Sequence, residues 1–265
     1  RIVTALAKEF GDDENIIGWQ IDNEIYLQEC HCRYCDDKFR EYLKKKYGSI
    51  EGLNERWNCN LFSQTYTSFE DITTPRPGWK HPQYLMEYKN FDSETQIEFV
   101  ARQATILKKY VKAPIGTDQM PINHINYREM HRPLDVIQFN HYNRADNLWE
   151  VGLWMDYFRC LKDTPFWNTE TAACWNGSTA MPGGINGDGY CYANTWMPIA
   201  LGGEANLYWL WRTHWAGHEL MHGSILESSG RPQYNISEVT RAAEDFKKAS
   251  DFVTATKVET RVALH

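Results

Sequence analysis

The sequence predicts an α/β protein built as a (β/α)8 TIM barrel, of which this chain carries five strands. Three observations predict it. Short apolar segments beginning near residues 15, 114, 135, 165 and 205 alternate with amphipathic stretches, as parallel strands joined by helices do. Polar groups gather at the C-terminal ends of those segments: Asn23 and Glu24, Asp118, His141 and Tyr142, Glu170, and Arg212. In a barrel, that end of the strands is the catalytic face. An open doubly wound sheet also binds ligands there, but no glycine-rich phosphate loop follows any strand, and Gly183-Gly184 and Gly202-Gly203 lack the strand-to-helix context.

Each element follows from its own pattern. Ile2, Leu6 and Phe10 recur at helical spacing, and Gly11 supplies a stop. Ile16 to Ile21 reads as a short strand that ends abruptly in Asp22-Asn23-Glu24. A helix follows from Cys35 to Tyr47, with Phe39, Tyr42, Leu43 and Tyr47 on one face and Gly48 beyond it, then a second from Ile50 to Trp57. Residues 58–92 hold Pro75, Pro77, Gly78, Pro82 and scattered aromatics, which predicts an ordered loop insertion. Ser93-Glu94-Thr95-Gln96 has the form of a capping box opening a long helix through Ile97, Val100, Ala104, Leu107 and Val111. Strands are then expected at Pro114–Asp118, Leu134–His141, Pro165–Thr169 and Ala205–Trp211. Helices are expected near 148–162, near 188–201 and from about Ser237 to Phe252.

Composition bounds the function classes. The 28 basic and 35 acidic residues give a net charge of −7, which argues against a nucleic-acid footprint and against a polybasic membrane anchor. No apolar run is long enough for a membrane span. The chain opens inside a helical pattern, so it reads as a fragment, one catalytic domain over residues 1–265 with a Cys-rich loop and insertion at 25–92; a cytoplasmic location is expected. Aromatic residues make up 14%, an excess that suits sugar faces as well as core packing.

Glu24 and Glu170, at the ends of separate strands, are the candidate chemistry. Two converging carboxylates can divide glycosidic cleavage, one protonating the leaving oxygen and the other attacking or activating water. Glu219-Leu220-Met221-His222 follows the last strand, and its spacing puts the carboxylate and imidazole on one side of a helical turn, where they can grip adjacent hydroxyls. Trp209 and Trp211 alternate along the last strand, and core packing is expected for both. Cys30, Cys32 and Cys35 form C-x-C-x-x-C, a spacing by which one loop supplies most ligands of a closed zinc site; Cys59 or His31 is a candidate fourth. Three reduced thiols are the alternative. Asn176-Gly177-Ser178 and Asn235-Ile236-Ser237 match the short glycosylation pattern.

Five segments, IIGWQIDNE, ECHCRYC, YGSIEGLNERWNCNLFSQTYTSFEDI, WNTETAACWNGS and WRTHWAGHELMHGSIL, together resemble glycoside hydrolase family 42, the β-galactosidases on a clan-A retaining barrel. The resemblance runs from about residue 1 to 245 in consistent order. It implies that the strands present are the fourth to eighth, that Glu24 beside Asn23 is the acid/base, and that Glu170 is the nucleophile of a double displacement. It further implies that Tyr142 hydrogen-bonds the nucleophile and that Glu219 and His222 contact the galactosyl ring. Phe62 stands where relatives often carry Trp, and Trp175 lies closer to Glu170 than the family's sugar-facing Trp, so both are substrate-binding candidates in an altered setting. A structural Zn2+ on Cys30, Cys32 and Cys35, with its fourth ligand upstream, and a homotrimer are also implied. The expected substrate is a terminal β-D-galactosyl residue. Alternatives are an α-L-arabinopyranosidase on the same residues and, in another class, a carbohydrate-binding barrel without catalysis.

Overall fold

The computed structural model describes residues 1–177 and 184–262, so Gly183 and Ser178, which belong to two motifs above, lie outside the described residues. The chain divides into two compact units. The first comprises Arg1–Ile25, Ala101–Asn123 and the described residues from Tyr127 onward; the second comprises Tyr26–Val100 and His124–Asn126.

Among the described residues the first unit carries five strands, each parallel to its neighbour. β1 (Trp19–Gln20) pairs with β2 (Ile115–Gly116), Trp19 opposite Ile115 and Gln20 opposite Gly116. β3 (Ile137–Asn140), β4 (Phe166–Glu170) and β5 (Gly203–Asn206) form a second sheet in that order. Main-chain bonds stitch β2 to the start of β3: the Ile115 carbonyl accepts from Asp135 and Val136 N–H at 2.8 and 3.3 Å, and Asn140 N–H donates to the Gln119 carbonyl at 3.0 Å. The strands therefore neighbour one another in chain order, which is barrel-like progression and not the reversing order of a doubly wound sheet.

The connections are helical, as parallel neighbours require. They include α1 (Ile2–Phe10) before β1, α5 (Tyr127–His131) between β2 and β3, α6 (Glu150–Leu161), α7 (Tyr190–Ala200) and α8 (Ile236–Ala255). All four residues of β3 are buried, so both faces of the strand are covered. Ile137 and Phe139 pack with Val151, Met155 and Phe158 of α6, while Gln138 and Asn140, two residues apart on the opposite face, are buried polar groups. Phe139 and Phe158 stack with ring centroids 4.7 Å apart. Gly116 leaves room for this inner layer, because a Cβ there would lie 2.5 Å from the Gln138 amide carbon.

In the second unit α2 (Arg33–Tyr47), α3 (Ile50–Trp57) and most of α4 (Pro82–Leu107) enclose a core of Phe39, Leu43, Leu53, Trp57, Phe69, Ile72, Tyr84 and Tyr88. Gly48 ends α2 with φ of 75°, a conformation that glycine adopts without strain. The buried Glu87 carboxylate accepts from Tyr42 and Tyr47 hydroxyls at 2.9 and 2.6 Å and from Lys46 at 2.7 Å, so its charge is paired.

Three sequence expectations are corrected. α4 begins at Pro82 and not at Ser93, because the apolar period continues upstream through Tyr84, Tyr88 and Phe91 into the second core, and Pro suits a first helical turn. Ser93 is thus inside the helix, and its hydroxyl accepts from Asn126 N–H at 3.1 Å. The last strand is Gly203–Asn206 and not Ala205–Trp211; Gly203 packs where a Cβ would lie 2.6 Å from the Phe166 ring. Trp211 is consequently 70% exposed and not core. No helix among the described residues is long and apolar enough to cross a membrane.

Candidate active site

Glu24 leaves β1 through a sharp reversal. Asp22 and Glu24 have φ of 53° and 47°, left-handed backbone that non-glycine residues rarely adopt. The turn is held by residues that follow β2, since Thr117 Oγ1 donates to the Ile21 carbonyl and Asn123 Nδ2 donates to the Ile25 carbonyl at 3.0 Å. Glu170 is the last residue of β4, and Asp118 follows β2 by two positions. These three strand ends bring three carboxylates together, one oxygen of each lying within 4.8 Å of the other two. Oxygens of Glu24 and Glu170 that approach this closely are compatible with the carboxyl spacing of about 5 Å at which one carboxylate can act as nucleophile and the other as acid.

Asn140, at the end of β3, binds two of the three. Its Nδ2 donates to Glu24 Oε1 at 2.6 Å and to Asp118 Oδ2 at 2.7 Å. Tyr142, two residues on, donates its hydroxyl to Glu170 Oε2 at 2.7 Å. Burial first, then the neighbouring Glu170 charge, pushes the Tyr142 hydroxyl far up, so it stays a donor. Burial also pushes the Glu170 carboxyl up, helped by the charges of Glu24 and Glu219 and opposed by the Tyr142 bond. Asp118 is fully buried, and burial with the Glu170 and Glu24 charges pushes it up to about 7. Three close carboxylates resist simultaneous ionisation, which is the physical content of these shifts.

The segment after β5 faces this cluster. Glu219 and His222 lie in a turn and not a helix, with His222 N–H donating to the Glu219 carbonyl at 2.9 Å. Glu219 Oε2 accepts from Trp209 Nε1 at 3.0 Å, so Trp209 orients a site carboxylate. The His222 ring sits edge-on to Tyr142, centroids 5.2 Å apart. Burial pushes His222 down, toward neutral imidazole, and its buried Nδ1 has no hydrogen-bond partner among the described residues.

Other candidates fall elsewhere. Asn23 is exposed, its Oδ1 accepting from Gln20 Nε2 at 2.9 Å. Trp175 is half-buried and stacks on Tyr234 with centroids 6.5 Å apart. Phe62 belongs to the second unit, is 80% exposed and meets Trp79 edge-on at 6.0 Å. Cys30, Cys32 and Cys35 are also in the second unit, with their sulfurs within 4.8 Å of one another. The Cys32–Cys35 separation is 3.7 Å. A tetrahedral zinc–thiolate site has sulfur–sulfur edges of about 3.8 Å, so the Cys32–Cys35 pair matches one edge, and Cys30 lies close enough to join them. Cys59, buried in the core, and His31, whose Nδ1 lies 3.1 Å from Thr74 Oγ1, are not in that sulfur group.

Sequence reasoning did not select Asp118 or Asn140 as site residues. Their signal was position alone: each is a polar group where an apolar strand ends.

The chain is similar to known proteins over almost its whole length. The family glycoside hydrolase 42, described as beta-galactosidase, matches residues 1–249. "Beta-galactosidase YesZ" of Bacillus subtilis (strain 168) is 34% identical over 254 residues, covering 93% of this chain and 38% of that protein. "Beta-galactosidase BgaA" of Clostridium cellulovorans is 27% identical over 282 residues, 99% of this chain and 41% of that protein. Among solved structures, a catalytic mutant of Gan42B, a GH42 beta-galactosidase from G. stearothermophilus, superposes with a TM-score of 0.89 at 27% identity, covering 97% of this chain and 40% of that one. The Halorubrum lacusprofundi beta-galactosidase gives 0.85 at 27%, covering 93% and 40%. The chain thus spans about 38% to 41% of the length of these relatives.

Proposed function

The chain belongs to the glycoside hydrolase 42 family, and from that premise we propose that it carries the catalytic carboxylates of a retaining exo-β-galactosidase. The observation that supports this reading is the convergence of Glu24 and Glu170 within 4.8 Å at the ends of β1 and β4. In the first step a Glu170 oxygen attacks the anomeric carbon as the bond to the aglycone oxygen breaks, and Glu24 gives its proton to that oxygen. In the second, Glu24 takes a proton from water, whose oxygen bonds the anomeric carbon while Glu170 leaves as carboxylate. Tyr142 steadies the ionised Glu170, and Glu219 with His222 binds ring hydroxyls. The five strands correspond in this reading to the fourth to eighth of the barrel.

Zinc belongs to the same proposal. Cys30, Cys32 and Cys35 hold a structural Zn2+ with a fourth ligand from outside the trio, on the strength of the 3.7 Å Cys32–Cys35 edge. Bound zinc would tie the loop before α2 to one point and take no part in the chemistry.

The test is hydrolysis of nitrophenyl β-galactoside by the protein in its natural length, beside the α-L-arabinopyranoside. Galactoside turnover should exceed arabinoside turnover, and Glu170→Gln should lower kcat by at least about 1,000-fold. Unchanged hydrolysis in Glu170→Gln removes the nucleophile assignment, and preference for the arabinoside moves the substrate to that sugar.

A further inference from the structure

We propose that Asp118 is a positioning residue that acts through Asn140 to hold the Glu24 carboxyl in place for proton transfer to the leaving oxygen. This rests on the galactosidase reading above. The geometric argument begins with Asn140. One amide nitrogen offers two hydrogens, and both are used: one on Glu24 Oε1 at 2.6 Å, the other on Asp118 Oδ2 at 2.7 Å. Turning the amide over would set its oxygen against two carboxylate oxygens, so the second carboxylate fixes the amide and the amide fixes Glu24. The bond from Asn140 N–H to the Gln119 carbonyl at 3.0 Å holds the strand end that carries this amide beside the residue following Asp118.

Asp118 can sit there with or without its proton. Thr169 Oγ1 lies against Asp118 Oδ1 and is 3.3 Å from the Phe139 carbonyl. With Asp118 ionised, the hydroxyl donates to it; with Asp118 protonated, the hydroxyl turns to Phe139 and accepts from Asp118. No buried donor is stranded in either state. The titratable groups facing Asp118 are Glu24 after β1, Glu170 at the end of β4 and Tyr142 after β3; Glu219 acts on Glu170.

The experiment compares kcat/KM for methyl β-galactoside and dinitrophenyl β-galactoside in unsubstituted protein and Asp118→Ala, at natural chain length. The loss in Asp118→Ala should be at least about 10-fold larger on the methyl glycoside, whose leaving oxygen needs the Glu24 proton. An equal loss on both substrates is what a merely structural residue gives, and it overturns the proposal. Asn140→Ala supplies the second arm. It should lower kcat/KM for methyl β-galactoside by at least about 10-fold more than for dinitrophenyl β-galactoside, whose leaving group needs no proton. Equal losses on the two substrates, or failure of both variants to fold, also overturn it. If the unsubstituted protein hydrolyses no β-galactoside, the galactosidase reading falls; if it does and Asp118→Ala loses equally on both substrates, this inference alone falls.

Discussion

Tyr142 shows how one side chain can carry both geometry and electrostatics. Its hydroxyl reaches Glu170 at 2.7 Å and opposes the upward push that burial gives that carboxyl. A hydrogen bond to a charged group contributes about 2 kcal/mol. Tyr142→Phe should therefore lower kcat/KM roughly 30-fold. It should also move the acid limb of the profile to higher pH, because the nucleophile loses a bond that favours its ionised form. A steady-state profile across the acid range checks both; an acid limb that stays put shows that the bond does not set the Glu170 titration. Glu24, Glu170 and Tyr142 were legible as residues because polar groups ending apolar strands are unusual. Asp118 stood among them yet was not selected, and Asn140 was hidden by its neighbours, since an amide's importance depends on what lies across from it.

At the scale of elements, helices were easier to read than strands. α1, α3 and α8 follow the apolar period closely, because a helix satisfies its own backbone and needs only a face to bury. The strands are two to five residues long, and their limits depend on neighbours that are distant in the chain. Gly11 illustrates the difference. It follows α1 as predicted, but its φ of −64° is ordinary helical backbone, so left-handed freedom is not its purpose. A Cβ there would overlap the carbonyl oxygens of Ala7 and Tyr110, and neither backbone atom can swing aside. Gly11→Ala should cost about 2 kcal/mol, read as a lower denaturant midpoint at unchanged slope. A neutral outcome would mean that α1 and the turn after α4 can separate freely.

At the scale of the molecule, the chain divides into two compact units, and the Cys trio lies in the second. Zinc there is a stability device in the proposed reading. Cys32→Ser should reduce bound zinc well below the level of the unsubstituted protein by elemental analysis and lower Tm by roughly 5 °C. Full zinc retention in that variant would remove Cys32 from the ligand set. The amino-acid sequence by itself determined the alternation of parallel strands and helices, the two glutamates and the clustered thiols, because periodicity and close spacing are local properties. Tertiary structure alone decided that Asp118 joins Glu24 and Glu170, that Asn140 bridges two of them, and that Trp209 serves Glu219 while Trp211 faces solvent. Those facts arise where strands far apart in the chain end side by side, and the proton affinity of a carboxyl follows from which charges and how much water surround it.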